Sequence, residues 1–269
     1  MPNRLRTFSL SALLALCLAL PAWAADPSAT LLDLHQQRLA TQRSLAAFFM
    51  FNGMEGDQRY ARMIDESLQL ARSRLDKLGE LPGESSKALA TRLAQEWQGY
   101  ENDLKTLVST LKTQGFTDLQ PVADLAERNR QLMELSGELY ARIQRESAFN
   151  VPPLTQQSRE QSLLMQDIAL DYASRSASVG ATFFGGNEGK AIDELAEQFS
   201  AGLARLEEAP ANTAETRQGL QAVGTKWRYI EKSLKNYNEN SVPFVISKYS
   251  DRIIEALEVL SAQYAAQSL

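Results

Sequence analysis

Gln37, Arg38, Thr41 and Gln42 are the residues of this chain whose types and spacing suggest chemistry. On a period of about 3.6 residues, Leu31, Leu34, Arg38, Thr41 with Gln42, Leu45 and Phe48 with Phe49 share one helical face. Arg38 and Gln42 therefore interrupt an apolar seam, where a guanidinium is costly unless something anionic or carbonyl-rich answers it. Two readings stay open. In one, Arg38 snorkels out of the seam or pairs with a carboxylate of a neighbouring helix. In the other, Arg38 lines a pocket between helices and answers a small anion, because its donors fan out in one plane. There Arg38 supplies charge, Gln42 and Gln37 hydrogen bonds and Thr41 a hydroxyl, while Arg43 faces solvent or a partner.

Other reactive constellations lack parts. The sequence has one histidine, His35, and one cysteine, Cys17. Triads built on Ser-His-Asp or Cys-His, cysteine-ligated zinc, c-type haem attachment and a Glu-x-x-His di-iron site are all excluded on that count. A lone histidine near a helix start reads as structural. The glycine-rich run Gly185-Gly186-Asn187-Glu188-Gly189-Lys190 has the wrong spacing for a phosphate loop, and Ala191 stands where magnesium needs a hydroxyl. It reads as a turn with Asn187 as a helix cap. Adjacent carboxylates such as Asp65-Glu66 and Asp193-Glu194 point in different directions on a helix and form no acid/base pair. The expectation is a protein without catalysis, cofactor or metal.

The elements that must position the motif follow from the ends and the punctuation of the chain. Arg4 and Arg6 precede an apolar run from Leu10 to Leu20, then Pro21 and the small-x-small site Ala22-Trp23-Ala24. This is the pattern of an export signal cleaved after Ala24. Leu16 stands before Cys17 where a lipoprotein signal wants a small residue, so a soluble periplasmic protein is expected. Losing Arg4 and Arg6 takes the formal charge from -5 to -7, which disfavours nucleic acid and anionic membranes. No cysteine remains after the leader, and the mature chain is long enough to fold without staples.

Glycine and proline cluster at Asn52 to Asp57, Gly79 to Gly83, Gly115 to Pro121, Asn150 to Pro153, Gly185 to Gly189, Pro210 to Asn212 and Asn238 to Pro243. Between them lie stretches rich in strong helix formers. About eight long helices of roughly 20 to 30 residues result, joined by loops short enough to make neighbours antiparallel.

Internal matches divide these helices into halves. Trp97, Glu101, Leu104 and Lys105 match Trp227, Glu231, Leu234 and Lys235; Ile64-Asp65-Glu66 matches Ile192-Asp193-Glu194; Gln37 and Gln42 match Gln161 and Gln166. The expected architecture is all-α, two duplicated up-down four-helix units over residues 25–150 and 151–269, stacked or side by side, with the joint at Val151-Pro152-Pro153. Both tryptophans read as core anchors, and Glu101 and Glu231 as solvated or ion-paired surface four residues before a lysine.

Gln37-Arg38-Leu39-Ala40-Thr41-Gln42-Arg43 resembles the Gln-Arg-Met-Leu-Ser-Gln-Arg signature of the periplasmic N-terminal sensor domain of PilJ-type chemotaxis transducers, a domain related to NarX-type nitrate sensors. Gln161-Ser162-Leu163-Leu164-Met165-Gln166-Asp167 resembles a second, eroded copy. The resemblance implies a helical sensing or binding module, and in nitrate-binding relatives the arginine at the position of Arg38 meets the anion near a two-fold dimer axis. Where the nitrate pattern has a glycine and an asparagine, this sequence has His35 and Leu32, so nitrate itself is not implied. Relatives usually carry a transmembrane helix and a signalling output, neither of which is read here. The expectation is a soluble periplasmic ligand-binding or sensory-accessory protein that recognises a small solute, an anion being one option, and acts by contact with a membrane receptor or signalling protein. A homodimer is allowed by the resemblance. The competing expectation is a helical adaptor that binds another protein and no small ligand.

Overall fold

A computed structural model describes residues 26–177, 191–237 and 241–268. The leader read at residues 1–24 and the turn around Asn187 lie outside them. Among the described residues there are eight helices and no strand: α1 Pro27–Gly53, α2 Gln58–Asp76, α3 Glu84–Gln114, α4 Leu119–Ser147, α5 Pro153–Ala177, α6 Ile192–Glu207, α7 Ala214–Lys235 and α8 Pro243–Gln267. Also among them, no helix is long and apolar enough to cross a membrane.

Local chemistry sets the helix ends. Asp26 and Asp57 accept the backbone N–H of Ser28 and Arg59 and cap α1 and α2. Proline opens α1, α5 and α8, where its missing N–H would have had no partner. Gly115 ends α3 in a left-handed conformation at φ 79°. The break expected to run through Pro121 is shorter than that, because α4 already starts at Leu119 and tolerates proline in its first turn.

Packing sorts the helices into two sets. In the first, α1 packs on α2 and α4, and α3 packs on α4; in the second, α5 packs on α6 and α8, and α7 packs on the same two. One apolar core runs through α1 to α4 and takes in Leu170 and Ala173 from α5, while the other lies within α5 to α8. Trp97 and Trp227 are both buried anchors. Trp227 stacks on Phe199 with ring centroids 4.4 Å apart and donates to Ser200 at 3.0 Å. Glu101 and Glu231 pair with Lys105 and Lys235 at 2.8 and 2.9 Å. Glu101, however, is buried and not solvated, because Arg72 of α2 closes over it as a second cation.

The two sets lie side by side through α1 and α5, which run parallel. His35 lies near Arg159, Gln42 donates to Asp167, and a Cβ at Gly53 would lie 3.4 Å from Ala177 Cα. These pairs keep the spacing that relates Gln37 to Gln161, within one residue. Here the single buried stripe expected for α1 needs correction. With α2, α4 and α5 all around it, α1 is buried on nearly every side, from Gln37 and Leu39 through Ala40, Thr41 and Gln42 to Phe51.

Candidate functional site

A helix covered on nearly every side sends few of its polar residues to water, so most of them must meet one another. The α1 and α5 pair carries a buried polar set that includes His35, Gln37, Thr41, Gln42, Ser44, Ser158, Arg159, Gln161, Ser162 and Gln166. The structure separates the four predicted site residues into two groups.

Gln37 and Thr41 serve the first core. Gln37 Nε2 donates to Thr41 Oγ1 at 2.9 Å, one turn along α1. The Thr41 carbonyl accepts from Ser44 at 2.7 Å and from Tyr100 and Asn129 at 3.3 Å each. This knot ties α1 to α3 and α4, and burial pushes the Tyr100 hydroxyl well above its ordinary pKa.

Arg38 and Gln42 face the other set of helices. Gln42 Nε2 donates to the Asp167 carboxylate of α5. Arg38 lies half-buried between α1, α4 and α5, with its Nη2 3.7 Å from where a Cβ at Gly137 would stand. Among the described residues no carboxylate comes within ion-pair distance of Arg38, and its Nε is buried without a partner. Burial pulls the guanidinium below its ordinary pKa, and the charges of Asp167, Tyr140 and Glu160 pull it back. Burial also raises Asp167 to about 6, against the hydrogen bond from Gln42 and the field of Arg38. Asp171, one turn on, is raised by burial to about 6 although Arg175 stands 3.2 Å away.

Around this centre the seam continues toward α8. His35 is buried and bonds Glu258 at 2.8 Å; desolvation lowers its pKa, leaving the ring neutral at pH 7 despite the carboxylate. Burial pushes Glu258 up, but His35, Ser162 and Arg159 together hold it below the ordinary glutamate value. Arg159 donates to Tyr140 at 3.2 Å, and Tyr140 to Gln156 at 2.8 Å. Arg43, expected to face solvent or a partner, meets Asp251 of α8 at 3.4 Å. Beside that pair, Gln166, Met50 and Met63 help line a cavity of about 10 Å³, the room of one water.

Gly137, Tyr140, Arg159, Asp167 and Glu258 complete the seam and were missed by sequence reasoning. One signal pointed to two of them. At the offset that relates Gln37 to Gln161, Asp167 matches Arg43 and Arg159 matches His35, so matched positions carry opposite or additional charge where α1 and α5 meet. Unpartnered buried atoms along the two helices are Gln36 Oε1, Gln37 Oε1, Arg38 Nε, Gln42 Oε1 and Arg43 Nε on α1, and Thr155 Oγ1, Ser158 Oγ, Arg159 Nε and Gln161 Oε1 on α5. Those on the Arg38 and Gln42 side can accept from and donate to a small polar molecule or water. Among the described residues no group of three or more histidine, cysteine or acidic side chains could hold a metal ion. No family model, curated protein or solved structure matches this chain.

Proposed function

We propose that this chain is a non-catalytic, exported helical binding module that takes a small solute with an anionic group at Arg38, in the seam between α1 and α5. One observation carries this reading: a half-buried guanidinium, enclosed by three helices, has an Nε that no protein group answers. The unpartnered Gln42 oxygen beside it adds an acceptor for the solute's donors. The in-register pairing of α1 with α5 supports a duplicated unit whose halves face each other as two sensor subunits would. That is the geometry implied by the resemblance to PilJ-type and NarX-type domains, held here within one chain. In this reading the first half keeps the ligand arginine and the second, with Ser162 at that place, supplies the opposing wall. The module works in the periplasm and signals by contact with a membrane partner.

One observation favours an adaptor with no small ligand. Asp167 and Glu160 bring negative charge toward Arg38 and offset part of what an anion would do. The two readings separate by thermal shift of the chain starting at Ala25, screened against small monocarboxylates, inorganic anions and amino acids. A ligand raises the melting temperature by mass action. Arg38→Ala is expected to abolish the rise while helix content by circular dichroism stays unchanged. A rise that survives Arg38→Ala removes the site, and no rise with any anion leaves the adaptor.

A further inference from the structure

We propose that the exposed face formed by α7 and α8 around Tyr229 and Tyr249 is a docking surface for an acidic, aromatic-bearing segment of a partner protein. It goes beyond the solute site and stands without it. Tyr229 of α7 is 60% exposed, and its ring lies 4.6 Å from that of Tyr249 on α8. The antiparallel register is set by this pair and by the Gln263 to Glu215 hydrogen bond at 2.7 Å. It brings Lys226 level with Arg252, one turn from the tyrosines. Lys232 and Lys248 lie within a turn on the other side. Among the described residues none of these four cations has a carboxylate within ion-pair distance, since Glu231 is taken by Lys235. Glu255, one turn beyond Arg252, is the acidic side chain at the margin.

Four cations without a carboxylate partner around two tilted tyrosine rings are unexpected on a chain of formal charge -5; among the described residues Lys226 has only the Ala222 carbonyl at 3.2 Å, and Lys248 only the Phe244 ring at 5.8 Å. The other set of helices provides the contrast. Taking Trp97 as the match of Trp227, Lys226, Tyr229 and Ser233 correspond to Glu96, Gly99 and Asp103 of α3. There Arg128 of α4 lies across Gly99 and is neutralised by Glu96 at 3.2 Å and Asp103 at 3.0 Å. The α3 and α4 face thus closes on its own ion pairs. On α7 and α8 a lysine replaces the first acid, a serine the second, and a tyrosine ring fills the place of the glycine. The register places Arg252 level with Lys226, and like charges level with each other cost free energy until an anion comes between them.

The chemistry of the occupant follows. Carboxylates satisfy the cations, and a flat side chain stacks on the tyrosines, a combination typical of binding hot spots. An extended anionic surface would also meet the acidic remainder of the chain and be repelled, whereas a peptide segment meets the patch alone.

Fluorescence polarisation of short labelled peptides tests this, using acidic peptides with and without one tryptophan and basic peptides as contrast. Saturable binding of the acidic, tryptophan-bearing peptide is expected, weakening with salt. Tyr229→Ala and the double change Lys226→Glu with Arg252→Glu should each lower affinity about tenfold or more. Tyr229→Phe should keep it, and Arg128→Gln on the opposite face should leave it unchanged. The same α7 and α8 variants should retain any anion-induced melting shift, so failure of either reading is seen separately. The proposal is overturned if the acidic peptide does not bind, if the basic peptide binds as well, if the α7 and α8 variants bind like wild type, or if only phosphatidylglycerol vesicles are retained.

Discussion

Asp167 is the residue through which pH reaches the seam. Its folded-state pKa of about 6 lies above the ordinary aspartate value of 3.8, and the cause is burial, only partly offset by Gln42 and Arg38. The native state therefore holds this proton at pH values where the unfolded chain has released it. The associated stability is fully present below the ordinary aspartate pKa and is lost as pH rises through about 6. Asp167→Asn keeps an acceptor for Gln42 and cannot ionise. The variant is expected to exceed wild type by about 1–2 kcal/mol at pH 8 and to match it near pH 4, by urea denaturation at the two values. A variant less stable at pH 8 would mean that the Asp167 charge is needed by Arg38, and the adaptor reading would gain. The same substitution probes ligand binding. An anion at Arg38 must share the seam with Asp167, so affinity should rise as pH falls through 6 in wild type, and Asp167→Asn should bind more tightly at pH 8 with little dependence on pH.

At the scale of helices, most of what the sequence announces concerns where each one ends. Ala148 ends α4 in the left-handed region at φ 53°, a conformation that costs an alanine its Cβ contacts and a glycine little. Ala148→Gly is expected to raise stability by about 0.5–1 kcal/mol, read as a higher urea midpoint at unchanged slope; a lower midpoint would place the strain elsewhere. The glycine and proline clusters were legible because backbone rules act locally, whatever the helices later pack against. So were the core tryptophans, whose apolar neighbours recur along a single helix face. The environment of α1 was not legible. A period of about 3.6 residues reports one buried side, and α1 is covered by all three other helices of its own set and by α5 of the other. Gln42 is buried and Arg38 half-buried where the sequence places both in a buried stripe, while Gln37 and Thr41 bond each other toward Tyr100 and Asn129. What separates these pairs is which neighbour each side of α1 meets, and that depends on residues more than a hundred positions away. Asp167 illustrates the point: it directly follows Gln166, the match of Gln42, but nothing short of the α1 and α5 packing assigns it to Gln42.

For the whole molecule, the central question is whether two cores joined by a polar seam behave as one body. The first core borrows from the pairing. Leu170 and Ala173 of α5 complete the first core, and α1 turns Leu39, Ala40 and Ala46 into buried surface only while the neighbouring helices cover it. Losing α5 would also uncover the apolar surface that the helices of the first core bury against Leu170 and Ala173, at roughly 1.5–3 kcal/mol for each large apolar side chain exposed. Those costs bind the halves more tightly than the usual contact between domains, which often lets each melt alone. Tryptophan fluorescence can decide, because the three tryptophans of the chain divide into Trp23 in the proposed leader and one in each core. In the chain starting at Ala25, Trp97→Phe leaves Trp227 to report the second core and Trp227→Phe leaves Trp97 to report the first. Each variant is melted in urea and followed by both fluorescence and circular dichroism, so that any stability lost to the substitution appears in both signals. Coincident midpoints within each variant are expected. A fluorescence transition displaced from the helical one in either variant would show that the cores unfold separately. The seam would then be a surface between two domains, too weakly coupled to carry a ligand signal from Arg38 on α1 to the exposed face of α7 and α8.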